Sequence, residues 1–469
     1  MTPARSLLST ELEAPVVSLQ DGHPAPPEVF QRVWETLAGR SWQPLEFGVT
    51  REHPGAPEAI NPAQTIVTDT GPTIELVTSP QGSNAGVGQQ LGTLLDEARA
   101  VLDELGYAML GSGVHPGLRA VPADYYRYRT PRPAYDYAIQ ERSWRHWSIV
   151  NIAAVQEVVD VSFDDAPRAV RLLHRLAGLM NFILRNDPDL LGDYGGRLSV
   201  RPRAWWDHVP RSGPFAADAG RVGVPGRELQ TWRDYLSLLW EASPMFLAGT
   251  KDHGAVWVPE HPTFLRFLEE APAEGWPART LSGDGVRVHP APEHIAQTDW
   301  TYMGFARVRW KWRQGLEDVD AFVEAWRGDG IEPFLESHLE KLVIENRSNS
   351  TQPPAHSLVS LALVSGLLAN LDDALELVSR EPYAFWVSVL DASTTRPLDT
   401  TVEGRSIPAY AREMVDVARQ GLRARGEDDP DSALSELDRR IDEKTSPSEE
   451  LLREYRSGGL PRLLEVARL

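Results

Sequence analysis

The chain has no cysteine among its 469 residues. Disulfide frameworks, thiolate metal sites and cysteine nucleophiles are therefore excluded. Long apolar runs are also missing. The longest stretch, Ser357 to Leu371, is broken by serines, Gly366 and Asn370 and is too short to cross a bilayer. Met1 to Thr10 lack a charged segment followed by an apolar run, so no secretory signal is visible and a cytoplasmic location is expected. No Gly-x-x-x-x-Gly-Lys-Ser/Thr loop occurs. The glycine-rich turn Gly111 to Gly117 fails the dinucleotide fingerprint, because its last glycine is one residue late and no helix follows. Positive charge is in short supply, with 47 Lys and Arg against 67 Asp and Glu and a net charge of -20. That argues against non-specific binding to nucleic acid or anionic lipid.

What is present reads as a globular chain long enough for one large or two ordinary domains. Its informative stretch is Lys341 to Arg347, a short apolar run ended by the turn residues Ser348 to Pro354. Side chains alternate along a strand, so Glu345 and Arg347 leave on one face. A plain ion pair at a strand end would explain them if they stood alone. The pattern repeats, however. Glu11 and Glu13 share a face of a strand running to Val17, for which an exposed edge strand is the bland alternative. Thr65 to Thr78 read as a hairpin or one bent strand turned at Gly71-Pro72, and Glu75 lies there between Ile74 and Leu76. A carboxylate in that setting needs a cation or a basic partner. Along Ser148 to Asp160, Gln156 falls among small and apolar neighbours and needs a hydrogen-bond partner.

Basic residues recur with aromatics in two places, Arg197 to Trp206 (with Arg211-Ser212-Gly213 shortly after) and Arg307 to Arg313. In so acidic a chain they suit a phosphate-binding wall better than a nucleic-acid surface. In the second stretch Arg307, Arg309, Lys311 and Arg313 share a face, which a half-exposed strand with a solvated basic side would also produce. His115 follows the glycine-rich turn and either touches a ligand or is simply solvated. Helical periodicity marks Pro26 to Leu37, Leu91 to Leu105, Pro167 to Leu184, Ser357 to Val378 and Ile407 to Arg425, with a capping box at Ser446 to Glu449. Pro44 to Asn61 are turn-rich, and Ala271 to Gln297 suggest a surface insertion. Carboxylates on three strands, with no cysteine or histidine pair, suit Mg²⁺ or Mn²⁺ bound through oxygen. Opposed by strand-borne arginines, they imply phosphoryl transfer on a sheet.

In order and spacing, several of these segments resemble glutamate–cysteine ligase family 2, a group of carboxylate–amine ligases. They are Glu11-Leu12-Glu13, Asp69 to Glu75, Ala153 to Gln156, Arg307 to Arg313, His338-Leu339, Ile344 to Arg347, Gln352-Pro353 and Gly366 to Leu368. The resemblance covers residues 8 to 425 and departs at 201–300 and at 314–337. It implies an α+β fold of the glutamine-synthetase type, an antiparallel sheet curled into a trough with helices outside. A single catalytic domain over 1–469 would draw its strands mainly from 8–160 and 305–348, with an insertion at 201–300 and a helical region at 355–469. The implied activity uses ATP to phosphorylate a carboxylate, usually the γ-carboxyl of glutamate, which an amine such as that of cysteine then attacks.

The same resemblance implies that Glu11, Glu13, Glu75 and Glu345 hold the Mg²⁺ ions. Arg347 would touch the transferred phosphoryl group, and Arg309 would assist catalysis with Glu345. Gln156, Arg313 and His115 would bind substrate, with His338 a weaker candidate, and Arg201, Arg211 and Arg347 would bind ATP. The expected partners are a small-molecule acid and an amine, with neither nucleic acid nor membrane. Alternatives are a different acid and amine in specialised metabolism, a phosphotransferase, or a non-catalytic binding protein on the same scaffold.

Overall fold

The computed structural model describes residues 6–52, 60, 63–247, 249, 254–313 and 318–469, and at 300 and 301 the backbone alone. Its centre is a sheet of nine strands: β1 (Leu8–Ser18), β2 (Gln43–Leu45), β3 (Gly48–Glu52), β4 (Ala63–Thr68), β5 (Thr73–Val77), β6 (Tyr107–Met109), β7 (Val155–Asp160), β8 (Ala306–Trp312) and β9 (Leu339–Asn346). All pairings are antiparallel, in the order β8-β9-β7-β1-β5-β4-β3-β2, with β6 paired to the far end of β1. β1 is thus a central strand with neighbours on both sides, and the edge-strand alternative for Glu11 to Val17 falls. The turn-rich reading of Pro44 to Asn61 meets β2 and β3, and the remainder of it lies outside the described residues.

Alternation divides the sheet into two unlike faces. Leu12, Ile66, Ile74 and Leu76 point to the back and pack with Val33 and Leu37 of helix Pro27–Ala38 and with Leu91, Leu94, Ala98 and Leu102 of helix Asn84–Glu104. Leu8, Val159, Val308 and Ile344 point to the same side and meet helix Asp165–Leu184, buried almost throughout beneath the C-terminal helices. One polar cluster sits on this back face. The Glu157 carboxylate is fully buried and accepts hydrogen bonds from the side-chain amides of Asn346 (2.6 Å) and Asn349 (3.1 Å). Burial pushes its pKa up to about 7 against those hydrogen bonds. The arrangement is the expected one, an antiparallel sheet with helices on its outer face.

Two expectations change. Ser357 to Val378 form two helices, Val359–Ala369 and Leu371–Ser379, bent by 91°. Asn370 ends the first, and Asp372 and Asp373 occupy the first turn of the second, where acids favour a helix start. Among the described residues no single helix is long and apolar enough to cross a membrane. The expected surface insertion at Ala271 to Gln297 carries the strands Trp276–Thr280 and Gly285–Val288, which with Val256–Trp257 make a three-stranded antiparallel sheet. Trp276, Ala278, Val288 and Ile295 are buried in the main core, so this segment is part of the packing.

Helices Val359–Ala369 and Ile407–Arg425 cross backbone to backbone, because both bring glycine to the contact. A Cβ on Gly421 would overlap the Gly366 carbonyl, and one on Gly366 would overlap the Ala418 carbonyl. Neither obstacle is a flexible side chain, so the helices would have to separate. Gly421→Ala is expected to cost about 1–3 kcal/mol of stability by overpacking, read as a lowered urea midpoint. An unchanged midpoint would show that the crossing tolerates separation.

Candidate functional site

The concave face carries the chemistry. On β1 it presents Ser9, Glu11 and Glu13, on β4 and just beyond it Thr65, Val67 and Asp69, and on β5 Glu75 and Val77. On β7 it presents Gln156 and Val158, on β8 Arg307 and Arg309, and on β9 Val343, Glu345 and the following Arg347. Register aligns them: Glu13 lies opposite Glu75, Glu11 opposite Gln156, and Arg307 opposite Glu345. The result is a trough of about 360 Å³. Leu7, Val158, Val343 and Pro80 give one end an apolar wall bordered by Asp160 and Arg309, and the end near Glu13, Asp69 and Arg347 is charged.

The acids lie in two different environments. Glu345 is almost fully buried and is held by three guanidiniums. Arg307 bonds it at 2.8 and 3.0 Å, Arg309 at 3.4 Å, and Arg347 in close contact. Burial alone would raise its pKa, but the arginines, Arg307 first, overcome this and hold it well below the usual carboxylate range. Arg309 also bonds Asp299 at 2.9 Å. Glu13 accepts hydrogen bonds from the Ala154 amide (2.8 Å) and from Gln156 Nε2 (2.9 Å), while Gln156 Oε1 accepts one from Arg347. Gln156 thereby joins the acidic half of the trough to the basic half. Burial, then the nearby Asp69, push Glu13 up to about 7.

Glu11 and Glu75 make no hydrogen bond or ion pair with any described residue. Burial raises the pKa of both. The charge of Glu345 adds to the rise at Glu11, and those of Glu11, Asp69 and Glu13 add to it at Glu75. Like charges held opposite each other in a sheet destabilise it, so this crowding is a standing cost of the fold.

Beyond the charged end the trough continues into a recess of about 70 Å³. Tyr135, His146, Arg201, Trp205 and His208 line it, together with Asp69 and Arg347. Among the described residues His146 has no hydrogen-bond partner at either ring nitrogen, and burial, then His208, hold its pKa well below the ordinary value. Burial lowers His208 to about 4, so both imidazoles are neutral at pH 7. Arg201 is buried and donates to the Arg347 carbonyl at 2.7 and 3.1 Å, which fixes the turn after β9.

The structure gathers Glu11, Glu13, Glu75, Gln156, Arg309, Glu345 and Arg347 in the trough and sets Arg201 in its recess. It does not bring His115, Arg313 or Arg211 there. His115 is fully buried behind β1, its Nε2 3.2 Å from the Val16 carbonyl and its Nδ1 accepting the Gly117 amide. Burial lowers its pKa to about 4, and it ties a loop to a strand end; neither the ligand nor the solvated reading describes it. Arg313 lies past the β8 bulge and donates to the Leu339 carbonyl at the outer end of the hairpin. Arg211 stacks on Trp206, away from the trough. His338 bonds the Phe334 carbonyl at the same outer end. Asp69, Tyr135, His146 and Arg307 belong to the site without having been singled out for it. Arg307 carried a sequence signal in its alternation with Arg309, and Asp69 opened one of the segments that carry the family resemblance.

Oxygen donors that lack protein counterions are the right chemistry for a hard divalent cation. Glu11 and Glu75 meet that description, while Glu13 has no ion pair but has both oxygens engaged by the Ala154 amide and Gln156. Glu345 is instead engaged by three arginines. Among the described residues no three His, Asp or Glu side chains converge closely enough to enclose an ion by themselves. Phosphate and water oxygens would have to complete the shell.

The same fold is found in a solved ligase. The glutamate–cysteine ligase from Francisella tularensis, solved in complex with AMP, shares it at 13% identity and a TM-score of 0.50, over 99% of this chain and 88% of that one. A bifunctional glutathione synthetase from Pasteurella multocida aligns at 12% identity and a TM-score of 0.49 over 98% of this chain, which spans 50% of that protein's length. No curated protein sequence matches the chain. The model of glutamate-cysteine ligase family 2 (GCS2) matches residues 8–278, and the chain belongs to that family of carboxylate–amine ligases.

The crowding of Glu75 has a measurable consequence. Its native pKa lies above the unfolded value, so ionised Glu75 costs stability above that native pKa and nothing below about pH 4.5. Glu75→Gln is expected to raise the thermal midpoint by ~1–2 °C near pH 8, with the gain fading towards pH 4.5. A midpoint that falls at pH 8 would mean that Glu75 has a stabilising partner.

Proposed function

We propose that the chain is an ATP-dependent ligase that activates a substrate carboxylate as an acyl phosphate and passes the acyl group to an amine, with glutamate as the acid and an amino acid such as cysteine as the amine. The observation that carries this is the arrangement of charge. Carboxylates of β1 and β5 face the guanidiniums of β8 and β9 across one trough, with a partly apolar slot at one end and a small recess at the other. The slot suits a base, the charged middle a triphosphate, and the recess the reacting acid.

In this reading Arg307, Arg309 and Arg347, prearranged by Glu345, accept the charge that develops on the transferred phosphoryl group. Because they are fixed before substrate arrives, little reorganisation is needed at the moment of transfer. Asp69 and Glu13 stand beside Arg347 and Arg201, a pairing of charges that complements an amino-acid zwitterion. Gln156, held between Glu13 and Arg347, orients the acid. The neutral imidazoles of His146 and His208 face the recess as hydrogen-bonding groups. A divalent cation held by Glu11, Glu13 and Glu75 would neutralise polyphosphate charge. ATP is proposed from the family and the trough, and Mg²⁺ from the donor set.

A second choice of acid and amine has one observation in its favour. The match to the family model ends at residue 278, while Arg307, Arg309, Glu345 and Arg347, the basic half of the trough, lie beyond it.

The test is ADP release with Mg-ATP and glutamate across a panel of amines, cysteine included, with mass detection of the product. A γ-glutamyl dipeptide formed only with an amine present is expected, and Glu11→Gln should lower turnover by about 10²–10³-fold. Turnover with another acid alone would keep the chemistry and change the substrate. No nucleotide turnover with any acid would leave a binding protein on this scaffold.

A further inference from the structure

The basic-aromatic stretch that begins at Arg197 does not serve the trough. It lines a separate cavity of about 430 Å³, within the size range of small-molecule sites. The cavity shares no lining residue with the trough. Trp205 and Phe305 stand between the two: Trp205 also lines the recess, and the Phe305 carbonyl accepts the Arg347 amide at 2.7 Å.

Three features of the cavity point to a ligand. Its walls carry two of the six large hydrophobic side chains left exposed among the described residues, Trp206 at 53% and Val387 at 41%. Exposure of an indole and a valine on one concave surface costs solvation that an apolar ligand would recover. Secondly, the Arg211 guanidinium lies over the Trp206 ring at 3.7 Å and donates only to the Trp206 carbonyl, at 3.3 Å. Arg197 donates to Thr394 Oγ1 at 2.7 Å. Neither has a carboxylate within ion-pair distance among the described residues, in a chain where most arginines do. Thirdly, the local charge balance is positive. Arg203 is paired with Asp207 at 2.8 Å, and Asp391 is the one carboxylate on the wall, so three guanidiniums face two acids.

We propose that this cavity is a second ligand site, built for an anionic group carried on a flat apolar body. Trp206 supplies the stacking surface, Phe305 and Leu390 line the apolar interior, and Arg211 and Arg197 take the anion. Guanidinium suits this task because it stacks on an aromatic face while its edge donates hydrogen bonds. A carboxylate or a phosphate on an aromatic ring satisfies the same chemistry.

The probe is 1-anilinonaphthalene-8-sulfonate, titrated by fluorescence into the full chain. One saturable site per chain is expected. Its affinity should fall by about tenfold in Arg211→Ala and again in Trp206→Ala, as loss of a charge-assisted hydrogen bond or a stacking face requires. Glu75→Gln, in the trough, should leave the affinity unchanged. Both substituted side chains of the cavity are solvent-exposed, and their thermal midpoints report that the fold is kept. Displacement by indole-3-acetate identifies a carboxylate as the anion, and displacement by AMP identifies a phosphate. Absence of saturable binding, or equal affinity in wild type and both cavity variants, overturns the proposal.

Discussion

The charge on Glu345 is the constraint on which the site depends. Three guanidiniums buried within a few ångströms of one another would repel strongly in a medium of low polarity. One carboxylate placed among Arg307, Arg309 and Arg347 makes their grouping tolerable. Removing it would leave uncompensated buried charge, which destabilises far more than the loss of a surface pair. Glu345 therefore acts as the keystone of the basic wall, and a substitution there disturbs folding and chemistry together.

The acidic wall is built on the opposite principle. Glu11 and Glu75 have no such partner, and the sheet holds them in register with other acids. Main-chain pairing and the apolar back face, where Leu12, Ile74 and Leu76 pack against two helices, supply the stability that this crowding withdraws. A fold that keeps an acidic wall without counterions two to four strands from a basic one has stored electrostatic work on the acidic side. A cation shared with a polyphosphate would relieve it, and the arginines would receive the phosphoryl group as charge moves.

Much of this was legible from period-two alternation. It placed Glu11 with Glu13, Glu345 with Arg347 and Arg307 with Arg309 on common faces, and it isolated Gln156 as a polar group in need of a partner. Helix Ile407–Arg425 and the capping box at Ser446 were equally plain, since both are local signals. What alternation cannot give is which strands become neighbours. Asp69 and Tyr135 reach the trough by tertiary placement of a strand end and a separate helix, and His146 by a short 3₁₀ turn. Arg313 fell just outside the expected strand, beyond a bulge that shifts the register, and His115 was drawn under β1 by a backbone hydrogen bond. Asn370 interrupted the apolar run in the sequence, but the helical spacing of leucines on both sides of it gave no sign of the bend.

The most direct measurement follows the thermal midpoint while Mg²⁺ is titrated, with and without a non-hydrolysable ATP analogue. If the acidic wall is a cation seat completed by phosphate oxygens, the midpoint rises with Mg²⁺ and rises further when the analogue is present. Both increments should disappear in the Glu11→Gln, Glu75→Gln double variant. A midpoint indifferent to Mg²⁺ in both conditions, or a rise of equal size in the double variant, would contradict the account.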